Sequence, residues 1–334
     1  MQLDEARIGV VGIGAVGTEM VRILRERGVP HEAIRIMARS ERDQEVAGEI
    51  YHVVATQPDA FTGLDVVFFA GTEGAKGASR QFGWAAVEHG AVVIDNGSDY
   101  RMDDRVPLVV PEVNPEALKQ HAGFIANPNC STIIALVALG PLHRAFGIRR
   151  FTAATYQAVS GSGGAAIREW EDQTKALAAG KPLRSEVYPH PIVGNVLPAI
   201  GGEAENMPGY TTEEAKMLFE TRKILGTDTI RVSATCVRVP VANGHSEALH
   251  VEFERPVTPE AAREVLRDAP GVRIADDLAA GVYPMPLDAS GIDEVLVGRI
   301  RNDPSAENGL CLFVAGDNIR KGAALNAVQI AEIL

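Results

Sequence analysis

Apolar residues in the first part of the chain come in short, nearly unbroken runs. Runs at 8–12, 33–38, 65–71, 91–96, 107–112 and 123–127 read as strands. Runs this apolar imply burial on both faces, as in a parallel sheet covered by helices. Between the first two, Val16, Met20, Ile23 and Leu24 recur on one helical face. Strand and helix in alternation predict a doubly wound α/β sheet. From residue 149 the pattern changes. Segments 149–161, 229–241, 247–257, 294–303 and 309–318 are longer and alternate apolar with polar positions. They predict an α+β domain with a mixed or antiparallel sheet. The Pro- and Gly-rich stretch 180–212 reads as a long ordered loop or arm, because its apolar residues need a partner surface. The last segment, GAALNAVQIAEIL, has helical period.

Length and composition narrow the classes. A chain of 334 residues suits two domains. Aromatic residues are only 5%, so Val, Ile, Leu and Ala must build the cores. A formal charge of −12 argues against nucleic acid, which selects a basic face. It does not exclude anionic substrates where a few basic residues converge. No apolar run approaches the roughly 18 residues of a membrane span. The N-terminal residues lack signal-peptide anatomy, so a cytoplasmic protein without membrane partners is expected. Cys130, Cys236 and Cys311 are odd in number and widely spaced, so neither a disulfide framework nor a metal site is expected.

Gly12-Ile13-Gly14-Ala15-Val16-Gly17 has the G-x-G-x-x-G form, and it follows a strand and opens a helix. In that context the glycines allow a tight turn, and the helix N-terminus faces a pyrophosphate. At the end of the second strand stand Arg39 and Ser40, where an NAD enzyme usually carries Asp or Glu. A guanidinium and a hydroxyl suit a 2′-phosphate, so the expected cofactor is NADP. Residues 1–130 with 316–334 are thus expected to form the Rossmann-type dinucleotide-binding domain, and 131–315 a second domain.

Asn127-Pro128-Asn129-Cys130-Ser131-Thr132 leads into an apolar helix. Pro and Asn end the strand, and Asn and Ser start helices, so Cys130 sits near a helix N-terminus, where a thiolate is favoured. Cys236 and Cys311 lie inside apolar strands and read as packing residues. NPNCST, DNGSDYRMDDRVPLVVPEVNP (95–115), TYQAVSGSG (155–163), TEEAKM (212–217), SATCVRVPVANGHSE (233–247) and GDNIRKGAALNAVQIAE (316–332) together resemble the aspartate-semialdehyde dehydrogenase family, nearly end to end.

The resemblance implies reductive dephosphorylation of L-aspartyl 4-phosphate to L-aspartate 4-semialdehyde through a Cys130 thioester. It makes His245 the general acid/base and gives Gln157 a place beside the thiol. It implies that Arg238 grips the substrate carboxylate, and that Glu213 meets the amino group. Arg101, Lys216 and Asn129 would hold the acyl phosphate or inorganic phosphate. On the cofactor it puts Gly12, Gly14, Ala15, Val16, Gly17, Arg39, Ser40, Gly71, Ser160, Gly161 and Asn318. It makes 131–315 the catalytic and dimerisation domain, of a homodimer or homotetramer. Alternatives are a related acyl-phosphate reductase, such as N-acetyl-γ-glutamyl-phosphate reductase, or a non-catalytic NADP-binding paralogue. Glu213 speaks against the first, since an acetamide needs no carboxylate. The chain departs from the family in a glycine loop one residue shorter, and in Asp99 beside the expected phosphate site.

Overall fold

The computed structural model describes residues 1–70 and 77–334. Two compact units emerge, Met1–Asn129 with Ala323–Leu334, and Cys130–Gly322. The first contains β1 (Ile8–Val11), α1 (Ala15–Glu26), β2 (Ile34–Ala38), β3 (Arg42–Val46), β4 (Glu49–Ala55), β5 (Val66–Phe69), α2 (Ala78–Glu88), β6 (Val92–Asp95) and β7 (Phe124–Ala126). They form one sheet in the order β3-β4-β2-β1-β5-β6-β7. Every position of β1 and β5 is buried, the state their unbroken apolar character predicts. β1 lies parallel to both β2 and β5, and the parallel ladder continues to β7. Met20, Ile23 and Leu24 of α1 are fully buried in the core with Val10 and Ile36.

Two features depart from the sequence pattern. The hairpin β3–β4 is antiparallel, turns at Ala47-Gly48, and went unpredicted. Four positions of β3 are charged or amide residues, largely exposed, so the strand shows no apolar run. The run at 107–112, expected as a strand, contributes only an isolated bridge between Leu108 and Ala126. Pro107 and Pro111 flank it and lack the N–H donors a ladder needs.

The second unit contains α3 (Cys130–Phe146), β8 (Ile148–Gln157), α4 (Gly164–Ala178), α5 (Thr212–Leu225), β9 (Arg231–Arg238), β10 (His245–Phe253), α6 (Pro259–Arg267), β11 (Val272–Ile274), α7 (Pro286–Ala289), β12 (Val295–Asn302) and β13 (Gly309–Gly316). The sheet order is β11-β12-β13-β10-β8-β9. It is mixed: β8/β9 and β11/β12 are parallel, and the other pairs antiparallel. α3 is buried continuously from Ser131 to Leu142 and packs on the sheet. Residues 179–211 are an ordered connection held by α4. The Glu169 carboxylate accepts the N–H groups of Glu186 and Val187, and the Gln173 amide oxygen accepts those of Ile192 and Val193. Ile192 and Leu197 are buried there with Val159 and Ala166. The chain then returns to the first unit as α8 (Leu325–Glu332), beside α1 and β6. Residues 316–322 stay with the second unit, where Asn318 and Asp317 bond Gly244 and Asn243. Among the described residues, no helix is long and apolar enough to cross a membrane.

Candidate active site

In the second unit, Cys130 is the first residue of the 17-residue helix α3 and is half-buried. The positive end of the helix favours an anion at that position. Gly322 leaves it room, since a Cβ at 322 would lie 3.0 Å from Cys130 Cβ. His245 opens β10 and is fully buried. Its Nδ1 accepts the Ala158 N–H at 3.0 Å. That bond sets the tautomer, leaving the proton of the neutral ring on Nε2. Burial, and then the Arg238 guanidinium, push the His245 pKa down to about 3, so the ring is neutral at physiological pH. Nε2 has no hydrogen-bond partner among the described residues.

Arg238 ends β9, where register pairs it with Gln157, and its Nη1 donates to the Ala158 carbonyl at 2.7 Å. One residue, Ala158, thus holds His245 by its N–H and Arg238 by its C=O. A Cβ at Gly161 would lie 2.9 Å from Arg238 Nη1 and 3.1 Å from His245 Nε2, so both groups converge over that glycine. Arg238 Nε is buried with no partner among the described residues. Buried polar atoms of this kind are costly unless a ligand satisfies them.

A second network adjoins. Thr155 Oγ1 donates to Gln157 Oε1 at 3.0 Å, and Gln157 Nε2 donates to Glu213 Oε1 at 3.1 Å. Lys216 Nζ bonds Glu213 Oε2 at 3.3 Å, an i,i+3 pair on α5. The sequence reading assigned Glu213 and Lys216 to different ends of the substrate, but one turn of helix pairs them. The capping box of Thr211 and Glu214 fixes where that helix starts. Glu247, two positions along β10 from His245, is fully buried, and neither carboxyl oxygen has a partner among the described residues. Burial, and then Glu213, raise its pKa well above the usual carboxylate range. Ser160 and Asn318 bond each other, and Asn318 Oδ1 also accepts the Gly244 N–H.

In the first unit, Gly12 has φ of +94°, which favours glycine, and a Cβ at Gly17 would lie 1.9 Å from the Gly12 carbonyl oxygen. A Cβ at Gly14 would meet nothing within 4 Å. α1 starts at Ala15 with, among the described residues, no side-chain cap, which suits an anionic ligand at its N-terminus. The residues therefore fit a dinucleotide pyrophosphate. Arg39 is exposed. Arg42, unmarked in the sequence, donates from Nη1 to Ser40 Oγ at 3.2 Å and brings a second guanidinium beside Ser40. Glu41 is engaged by His52 at 3.1 Å. Gly71 lies outside the described residues. Arg101 is buried, with Nε on the Asn127 carbonyl at 2.9 Å and Nη2 on the Asn96 carbonyl at 2.8 Å. It therefore braces the segment that ends in Asn129, itself buried. Asp99 pairs with Arg80 at 3.9 Å.

Residues 7–121 match the family model described as semialdehyde dehydrogenase, NAD binding domain, and 139–321 match semialdehyde dehydrogenase, dimerisation domain. The aspartate-semialdehyde dehydrogenase of Aquifex aeolicus is 48% identical, with 98% of this chain and 97% of that one covered. The chain belongs to the aspartate-semialdehyde dehydrogenase family. Among solved members, the Vibrio cholerae aspartate semialdehyde dehydrogenase II complexed with ASA is 42% identical, covers 98% of both chains and gives a TM-score of 0.92. The Candida albicans aspartate semialdehyde dehydrogenase with NADP is 26% identical, covers 98% of both chains and gives a TM-score of 0.74. The doubly wound first unit and the mixed-sheet second unit are the fold of this family.

Of the residues expected in the second unit, Gln157, Glu213 and Lys216 join in one hydrogen-bonded chain, and His245, Arg238 and Gly161 meet at Ala158. Sequence reasoning missed Ala158, Arg42, Asn243 and Glu247. Asn243 and Glu247 flank His245 within a recognised motif, which was the available signal. Ala158 acts through its backbone and carries none.

Proposed function

We propose that this chain is an NADP-dependent aspartate-semialdehyde dehydrogenase, converting L-aspartyl 4-phosphate and NADPH to L-aspartate 4-semialdehyde, phosphate and NADP. What carries the reading is the pairing of a neutral His245 and the Arg238 guanidinium on the Ala158 peptide. Cys130 attacks the acyl carbon, the C–O bond to phosphate breaks, and a thioester forms. Bound NADPH supplies the hydride that reduces this thioester. His245 acts through Nε2–H, the donor available to the oxygen on which negative charge builds, and it supplies the proton as the product leaves. Arg238 binds the α-carboxylate; its unpartnered Nε supports this. Glu213, held by Gln157 and Lys216, receives the α-amino group. Gln157 positions the substrate, and Arg101, Lys216 and Asn129 serve the phosphate.

Gly12, Gly14, Ala15, Val16 and Gly17 hold the pyrophosphate, with Arg39 and Ser40 at the 2′-phosphate. Ser160, Gly161 and Asn318 complete the cofactor contacts. The unit containing residues 139–321 serves self-association, as a homodimer or homotetramer, and the enzyme works in the cytoplasm.

The experiment mixes protein, phosphate, NADP and aspartate semialdehyde and follows NADPH absorbance. Turnover that vanishes in Cys130→Ala, while NADP still binds, supports the proposal. Turnover in that variant, or none in the unmodified chain, refutes it.

A further inference from the structure

Outside the site just described, three side chains far apart in sequence meet beside the β12–β13 turn of the second-unit sheet. His250 lies on β10, directly across the ladder from Cys311 on β13. Asp303 follows β12 and begins the turn into β13. His250 Nδ1 is 3.3 Å from Asp303 Oδ2 and 3.4 Å from Cys311 Sγ. All three ligand atoms lie within 4.8 Å of one another. The spacing 250, 303, 311 resembles no metal motif, and this is why the sequence suggested no metal.

We propose that His250, Asp303 and Cys311 form a binding site for a borderline-soft divalent cation, with zinc as its best fit. Imidazole nitrogen, carboxylate oxygen and thiolate sulfur are the donors zinc takes. Zinc bonds of about 2.0–2.3 Å in a tetrahedron separate neighbouring ligand atoms by about 3.3–3.6 Å. The two measured separations from His250 Nδ1 fall in that interval.

The surroundings are also those of a site. Asp303 Oδ1 accepts the Ser305 N–H at 2.9 Å and the Ser305 hydroxyl at 2.6 Å, which turns Oδ2 toward the other ligands. Such outer hydrogen bonds orient metal-binding carboxylates. Two ligands stand on paired strands and the third on the adjoining turn, so little ordering accompanies binding. The His250 side chain is 50% exposed, which gives an ion a path from solvent. Three protein ligands leave a fourth position for water. A bound ion would clip β10 and β13 to the β12–β13 turn.

The test uses cobalt(II), a coloured substitute for zinc, on the full chain carrying Cys130→Ser, which removes the half-buried thiol of the proposed active site. Expected is a thiolate-to-cobalt charge-transfer band in the near ultraviolet that saturates at one ion per chain and is displaced by zinc. Adding Cys311→Ser abolishes the band, and adding His250→Gln instead weakens cobalt binding about tenfold or more. His250→Gln, at a half-exposed position, keeps the test open if Cys311→Ser fails to fold. No band in Cys130→Ser, a band that survives Cys311→Ser, or unchanged affinity in His250→Gln overturns the proposal.

Discussion

Gly161→Ala is the substitution that reads the site most directly. The added methyl would lie 2.9 Å from Arg238 Nη1, 3.0 Å from His245 Cε1 and 3.1 Å from His245 Nε2. Neither group can yield freely. The imidazole is tied by its 3.0 Å bond from the Ala158 N–H, and the guanidinium by its 2.7 Å bond to the Ala158 carbonyl. Relief therefore stretches one of these bonds or shifts the 158–161 backbone. Overpacking of this kind costs about 1–3 kcal/mol. Taken from transition-state stabilisation, that is a loss of roughly 5- to 150-fold in kcat/KM. The assay is NADPH formation from aspartate semialdehyde, phosphate and NADP. Gly202→Ala is the control, because a Cβ there would meet nothing within 4 Å. If Gly161→Ala matches both control and unmodified enzyme, His245 and Arg238 are not fixed over Gly161, and the proposed assembly is wrong.

Other predictions follow from the same structure. Arg39→Ala should remove most of a ten- to hundredfold NADP preference, a charged hydrogen bond being worth about 1.5–3 kcal/mol, while sparing NAD turnover; equal kcat/KM with both cofactors before mutation refutes the assignment. Arg238→Leu should lower kcat/KM about ten- to hundredfold or more through lost carboxylate recognition. A loss confined to the phosphate KM would contradict it. The folded chain holds His245 at about 3 against 6.5 when unfolded, so between those values the unfolded chain binds the extra proton. Its contribution makes stability fall by up to about 1.4 kcal/mol per unit as pH drops below 6.5. Urea unfolding at stepped pH should show a shallower acid slope for His245→Gln, and equal slopes would count against a buried neutral ring.

What the sequence made legible was what side chains announce. The buried parallel strands, the glycine turn before α1 and Cys130 at a helix start are all set by local chemistry. The β3–β4 hairpin stayed hidden because its edge strand is polar, and the run at 107–112 misled because apolar character alone does not supply N–H donors. Glu213 and Lys216 were legible as residue types, but the bond from Gln157 to Glu213 was not, since Gln157 arrives from a strand 56 residues earlier in the chain. Arg42 was silent because it lies two residues past Ser40, beyond the strand end where a cofactor arginine is sought.

The bonds at Ala158 carry a further consequence. Both of its contacts are made by main-chain atoms, so the spacing of imidazole and guanidinium is written in peptide geometry. Exchanging one small side chain for another at 158 leaves that spacing intact, and libraries that vary side chains there will sample almost no change in it. Only proline, among encoded residues, deletes the N–H while keeping the carbonyl. Ala158→Pro would release the imidazole to either tautomer and leave the guanidinium tethered, separating two functions that every other residue at this position keeps locked together.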